Sequence, residues 1–324
     1  MKNTAPEKKE AFAKKPRVQK KHKPSLLIIG SRHYKRATVN SLLMEGKELF
    51  SSVLFVPIDR VQIQTSEGNA GLFYKGKNLL AFDAIYPRFS SKDFLLAEPI
   101  LKAIESSSAY CPVSLRGYQI SNNKFFTSQT LAEFSPLGVS STLFISPKRA
   151  PVAVKETGYP FVMKLIAGFA GKGVVLVNNE AQMDSVLDTV HLFQEFISTQ
   201  SFIKSKGVDV RCYVFGNYVL GVKRIGKKGE WRSNLSRGGT AKLINLSPEM
   251  VEMAKSSAKK LGMDICAVDL MKRKKHWGVI EVNFMPGPFM KFLGSMVVQQ
   301  WLRFIAKKAL KGKKKVSLSA QSGN

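Results

Sequence analysis

The sequence predicts an α/β protein whose later part is organised as α+β subdomains. Three observations carry this: short apolar runs alternating with helix-compatible stretches up to about residue 115, two glycine-turned hairpins beyond it, and a well-capped helix leading into the last strands. With 324 residues, 44% of them apolar, the chain can build two or three cores without staples.

The first run, Leu26-Leu27-Ile28-Ile29-Gly30, has the pattern of a buried strand, so the folded part is expected to begin at Ser25. Val53-Leu54-Phe55-Val56 and Ala84-Ile85-Tyr86 repeat the pattern, with helices expected over 38–49 and 93–106; residues 25–115 read as one small α/β domain. Next, Val162-Met163-Lys164-Leu165 and Val174-Val175-Leu176-Val177 read as a hairpin whose mobile tip is Gly168–Gly173, within a subdomain of residues 116–200. A second hairpin runs from Val210 to Val222 around Gly216-Asn217, in a subdomain of residues 201–310. There Ser247 and Pro248 start a helix, Val251, Ala254, Ala258 and Leu261 recur at helical spacing, and Gly262 stops it. Residues 295–310 close the folded part as a helix with Val297, Trp301 and Phe304 on one face. Residues 1–24 and 311–324 read as basic tails, the first of them disordered.

The formal charge is +28, and it is uneven: nine Lys or Arg within residues 1–24 oppose only Glu7 and Glu10, and no acidic residue follows Glu281. Flexible basic arms attract polyanions such as RNA, anionic membrane or acidic peptides, and serve equally well as solubilising extensions. Cys111, Cys212 and Cys266 are odd in number and far apart, which fits a reducing compartment rather than a disulfide framework or a metal spacing. No run has the length of a membrane span, and MKNTAPEKKE lacks the apolar stretch of a secretory signal, so a cytoplasmic protein is expected. Homo-oligomerisation is left open.

The chemistry concentrates late in the chain. In Gly278-Val279-Ile280-Glu281-Val282-Asn283, strand alternation puts Glu281 and Asn283 on one side and Ile280 and Val282 on the other. Asp269, in a neighbouring strand, completes a hard-oxygen set suited to Mg²⁺. Spacing alone equally allows three unrelated polar residues, so the set needs a phosphate partner nearby. Gly168-Phe169-Ala170-Gly171-Lys172-Gly173 offers one through its backbone amides, although its spacing is not that of a P-loop and a plain turn has the same composition. Lys164 lies inside an apolar strand, where a lysine either meets an anion or snorkels out. Gln194-Glu195-Phe196-Ile197 suits a strand bordering an adenine pocket. Arg211, beside Asp209, and the loop Arg232-Ser233-Asn234-Leu235-Ser236-Arg237-Gly238-Gly239 supply arginines able to clamp phosphate or carboxylate, or simply to be solvated.

Taken in order, these segments together with Phe82-Asp83-Ala84-Ile85-Tyr86-Pro87-Arg88, Asn123-Lys124-Phe125-Phe126 and Pro286-Gly287 resemble the RimK branch of the ATP-grasp ligases, which add glutamate to ribosomal-protein or cofactor acceptors. The resemblance spans about residues 25–310. It implies an ATP-grasp fold preceded by a small Rossmann-like α/β domain, and an ATP-dependent carboxylate–amine ligase working through an acyl phosphate. ATP and Mg²⁺ (or Mn²⁺), as two ions, are the implied cofactors. Lys124 and Lys164 resemble the phosphate-holding lysines, with Gly171, Lys172 and Gly173 in the lid. Gln194, Glu195, Phe196 and Ile197 resemble the adenine hinge, and Asp209, with Arg211 beside it, the ribose side. Arg232, Ser233 and Asn234 match the stretch lining the nucleotide and acyl-phosphate site; Arg232, Arg237 and Lys164 are the implied catalytic groups. Asp269, Glu281 and Asn283 match the metal ligands, and Arg88 a contact for the substrate carboxylate. Glutamate is the favoured amino-acid donor, with a protein, peptide or cofactor acceptor, and the basic tails suit the ribosome or another polyanion. The rival reading is a ribosome- or RNA-associated binding protein with a vestigial ATP site, against which the intact set of Lys124, Lys164, Asp269, Glu281 and Asn283 argues. The chain departs from the family's pattern at Phe284–Met290 and at Ser121-Asn122-Asn123.

Overall fold

The computed structural model describes residues 22–31, 33–67, 69–132, 141–144, 158–166, 173–192, 196–273 and 276–321. The chain opens with a parallel sheet in which β1 (Ser25–Gly30) lies between β2 (Ser52–Pro57) and β6 (Ala84–Arg88). Parallel strands need cover on both faces, and alternate residues of β1 feed two different cores. Leu27 and Ile29 pack with Ile100, Leu101 and Ile104 of α2 (Phe94–Glu105). Leu26 and Ile28 pack with Leu42 of α1 (Arg36–Leu49) and with Trp301, Leu302 and Ile305 of α8 (Met296–Gln321). The last helix thus completes the first domain. It also runs beyond the expected end at residue 310: between there and Gln321 the sequence holds no proline and one glycine, so little interrupts the backbone ladder.

A small antiparallel sheet of β3 (Gln62–Ser66), β4 (Asn69–Tyr74) and β5 (Lys77–Asn78) was not anticipated. Its local signal is Lys75-Gly76, both at positive φ (49° and 74°), the conformation that a two-residue hairpin turn demands. Two short helices follow, α3 (Leu115–Asn122) and α4 (Lys124–Ala132).

The middle of the chain forms a sheet ordered β7-β10-β8-β9, from β7 (Ser141–Phe144), β8 (Phe161–Leu165), β9 (Val174–Val177) and β10 (Ile197–Ser201). Met183, Leu187 and Val190 of α5 (Glu180–Leu192) seal it against Phe161, Met163 and Val177. The expected hairpin is present, since β8 and β9 pair antiparallel and Leu165 N–H donates to Gly173 C=O at 2.8 Å.

The third sheet is ordered β13-β12-β11-β14-β15, from β11 (Val208–Phe215), β12 (Tyr218–Ile225), β13 (Thr240–Ile244), β14 (Ile265–Arg273) and β15 (His276–Asn283). Met250, Ala254 and Ala258 of α6 (Pro248–Lys260) cover one face, with the Ser247 hydroxyl accepting from Met250 N–H as its cap. On the other face Tyr213, Phe215, Ile265 and Ala267 join the core built around Trp301, so that the first and third sheets share one hydrophobic centre. The short α7 (Met290–Leu293) links β15 to α8. Among the described residues no helix is long and apolar enough to cross a membrane.

Candidate active site

The face of the third sheet that is apolar around Tyr213 becomes charged two residues along each strand. Strand alternation carries Phe215, Tyr213, Arg211 and Asp209 to one side of β11, while Ile265, Ala267 and Asp269 share that side of β14. Register then brings the charges together: Arg211 stands opposite Asp269, Asp269 opposite Glu281, and Asp209 opposite Arg224. Directly opposed side chains on one face lie close enough to interact. Arg211 donates to both oxygens of Asp269 at 2.7 Å. Arg224 grips Asp209 at 2.6 and 2.5 Å and reaches Asp269 at 2.8 Å. Ser233 donates to Asp209, and Asn283 Nδ2 lies 3.4 Å from Asp269. Burial disfavours charge on Asp269, yet the two arginines hold its carboxyl below its ordinary range.

One expectation fails at β15. Strict alternation put Ile280 with Val282 on the side away from Glu281, but the ladder slips between Asp269–Glu281 and Leu270–Val279, leaving Ile280 as an extra residue. This bulge sends both Val279 and Val282 into the core and turns Ile280 with Glu281 into a cleft.

The cleft, about 1050 Å³ including its mouth, lies between the second and third sheets. Lys164 enters it from β8 and Lys124 from the start of α4, where Asn123 Oδ1 caps the helix by accepting from Phe125 and Phe126 N–H at 3.0 Å. Burial pushes the Lys164 ammonium down to about 8, with Glu281 opposing that shift and Lys124 adding to it; Lys124 is lowered by burial too. Among the described residues, Lys124, Lys164, Arg211 and Arg224 therefore face Asp209, Asp269 and Glu281, a cluster short of negative charge. Arg232 also lines the cleft, bonded to Glu230 at 2.9 Å and to the Val174 carbonyl at 3.0 Å, and Ser233 and Asn234 lie beside it.

Other expected site residues are placed elsewhere. Arg237 is exposed and turned to Glu230 at 3.6 Å, outside the cleft lining. Arg211 sits behind Asp269 with its guanidinium 5.2 Å from the Phe289 ring centre. Arg88 is fully buried at the end of β6, donating to Tyr34 and Tyr86 hydroxyls and to the Pro286 carbonyl at 3.2 Å. Gly173 immediately precedes β9, whereas Gly171, Lys172, Gln194 and Glu195 lie outside the described residues.

Of the expected hinge, Phe196 and Ile197 fall among the described residues, and neither lines the cleft. Phe196 is 56% exposed and Ile197 is sealed in the core of the second sheet. Gln200, Ser201, Phe202 and Ile203, which the sequence reading missed, line the cleft instead. The signal was available, because Gln200-Ser201-Phe202-Ile203 repeats the pattern of Gln194-Glu195-Phe196-Ile197. Among the described residues no group of three His, Cys, Asp or Glu gathers around a metal position, so the candidate cation set is two carboxylates and one amide.

The model of the RimK-like ATP-grasp domain matches residues 121–303. A probable alpha-L-glutamate ligase of Vibrio parahaemolyticus serotype O3:K6 is 31% identical over 265 residues, which is 81% of this chain and 88% of the relative. Among solved structures, the macrocyclase MdnC of Microcystis aeruginosa MRC, bound with precursor peptide MdnA, superposes with a TM-score of 0.66 at 15% identity, over 87% of this chain and 99% of that one. The ATP-grasp ligase PsnB, complexed with a minimal precursor variant, Mg and ADP, gives 0.66 at 18% identity, over 88% and 98%. With the lysine pair, the carboxylates and the cleft already in place, these matches show that the chain belongs to the RimK-like ATP-grasp family, and it is an ATP-dependent carboxylate–amine ligase.

Proposed function

We propose that this ligase joins glutamate to a protein, peptide or cofactor acceptor, with ATP in the cleft between the second and third sheets. The observation that carries the reading is the lysine pair: Lys124 and Lys164 converge in a cleft where, among the described residues, Glu281 is the carboxylate acting on both while Asp209 and Asp269 are held by arginines, and a polyphosphate supplies the missing charge. Phe202, edge-on to Trp231 at 6.0 Å, and Ile203 would hold the adenine, with Arg232, Ser233 and Asn234 along the phosphates. The donor set Asp269, Glu281 and Asn283 is oxygen-only, as a hard divalent cation requires, and would hold two Mg²⁺ ions. Bound there, the metal would neutralise charge on the transferred phosphoryl group. The chain's own residues align the donor carboxylate and exclude water from an acyl phosphate that water would destroy. The test is ADP release with glutamate and other amino acids over a panel of acceptors, with mass spectrometry of the product. Glutamate-independent ADP release, or transfer of another amino acid alone, would replace this reading.

Two expected results follow from the geometry. Because anionic phosphate needs Lys164 charged and its own value is about 8, the KM for ATP should be flat below pH 7. Above pH 8 it should rise by up to about tenfold per unit. A flat profile to pH 9.5, measured by initial rates in buffers of constant ionic strength, would remove Lys164 from the phosphate site. For the hinge, Phe202→Ala should raise the KM for ATP by about tenfold or more, the cost of an aromatic contact near 1.4 kcal/mol. Phe196→Ala should leave it unchanged, and the reverse pattern would restore the earlier assignment.

A further inference from the structure

Helix α8 crosses the molecule from its catalytic end to the opposite pole. Near its start, Trp301 packs edge-on against Tyr86 and Tyr213. Further along, Lys308 pairs with Asp264 at 2.9 Å and lies 5.7 Å from the Tyr110 ring centre. Tyr110 N–H donates to the Asp83 carbonyl at 3.0 Å, and the Asp83 carboxylate accepts from Ser25 N–H at 2.7 Å. Lys308 is therefore a few contacts from the start of β1, where Lys23 enters the fold. The opposite ends of the same parallel strands face the catalytic side, because Arg88 closes β6 and reaches Pro286, just past Asn283. The stretch of α8 around Lys308 and the start of β1 therefore lie at the same end of the first sheet, away from the cleft.

One side of α8 is buried through Val298, Trp301, Leu302, Ile305 and Ala309. The outer side carries Arg303, Lys307 and Lys311, all exposed and each four residues apart. That spacing aligns three charges on one stripe at intervals of about 6 Å. Among the described residues none of the three has a carboxylate partner, and α8 itself contains no acidic residue. Like charges four apart weaken a helix, so the stripe is unfavourable until an extended anion lies along it. A lipid surface fits poorly, because an interfacial helix inserts aromatic and large aliphatic groups, and among the described residues from Arg303 to Gly312 Leu310 is the lone exposed large apolar side chain.

We propose that the Arg303–Lys307–Lys311 stripe docks the phosphodiester backbone of a nucleic acid, without reading bases, and anchors the ligase by the end remote from its catalytic cleft. The test compares the full chain, a triple variant Arg303→Gln, Lys307→Gln, Lys311→Gln, and a control triple Lys77→Gln, Lys92→Gln, Lys102→Gln on the other side of the first domain. Binding to labelled duplex RNA and duplex DNA of equal length is followed by fluorescence anisotropy over a salt series. Each lost phosphate contact should reduce the slope of log K against log salt by about 0.9, hence by about 2.7 for the stripe variant, with affinity at 0.1 M salt down tenfold or more. The control should match wild type, and ADP formation should be unchanged in both. Binding of either nucleic acid with this loss supports the proposal, and preference for one names the source. Equal slopes for the two triples overturn it. So does tighter binding to phosphatidylserine vesicles or to a glutamate-rich peptide than to either duplex.

Discussion

Glu281→Gln is expected to lower turnover by about 10²–10³-fold, the usual cost of losing one preorganised group that stabilises transition-state charge, while leaving the melting temperature at its wild-type value. The side chain lies on the cleft wall rather than in the core, and among the described residues it makes no ion pair. Its removal therefore breaks no ion pair among the described residues, and Lys164, already held down to about 8 by burial, sheds its proton more readily rather than standing as an unpaired buried charge. Thermal melts and initial rates across a Mg²⁺ titration check both halves. Wild-type turnover would take Glu281 out of the metal set, and a large fall in melting temperature would make it a structural residue.

Asp269→Ala should do something different, and the difference comes from burial. Asp269 is 2% exposed, and Arg211 and Arg224 both close on it. Truncation would leave Arg224 with Asp209 and, among the described residues, Arg211 with no carboxylate within salt-bridge distance, and an unpaired buried charge typically costs about 3–5 kcal/mol. Activity and stability should fall together, measured by ADP release and urea unfolding at pH 7. Acid titration gives an independent check. The native carboxyl lies below its ordinary 3.8, so wild type holds this contribution above 3.8 and loses it as pH falls further. The variant should lack that part of its acid sensitivity. A variant as stable as wild type would mean that the two arginines are satisfied without Asp269.

The strands and capped helix were legible because their signals are local. Leu26–Ile29 is a run with no polar residue, and Ser247-Pro248 is a cap chemistry that few other sites use. The closeness of Glu281 and Asn283 to Asp269 was legible because Glu281 and Asn283 are two apart and strands alternate. The bulge at Ile280 was not, because a slip in register is decided by which valines the neighbouring core can accept, and α6 settles that from elsewhere in the chain. The cleft lining at Gln200–Ile203 was missed for a related reason. Two nearly identical tetrapeptides compete at 194 and 200, and only the register of β10 against β8 selects the second. Arg224 escaped notice altogether, since nothing in Lys223-Arg224 distinguishes a buried clamp from one more basic residue in a chain of +28.

The shared centre around Trp301 also imposes a timetable on synthesis. Leu26 and Ile28 are made first, but the helix that covers them comes more than 270 residues later. At about 5–20 residues per second the first sheet waits roughly 15–55 s with one apolar face open, a natural substrate for a holding chaperone. A nascent chain stopped before Met296 should accordingly be cut by protease in its first domain, and one extended past Ala309 and the exit tunnel should resist. The domain that is born first is, by this arrangement, among the last to become safe.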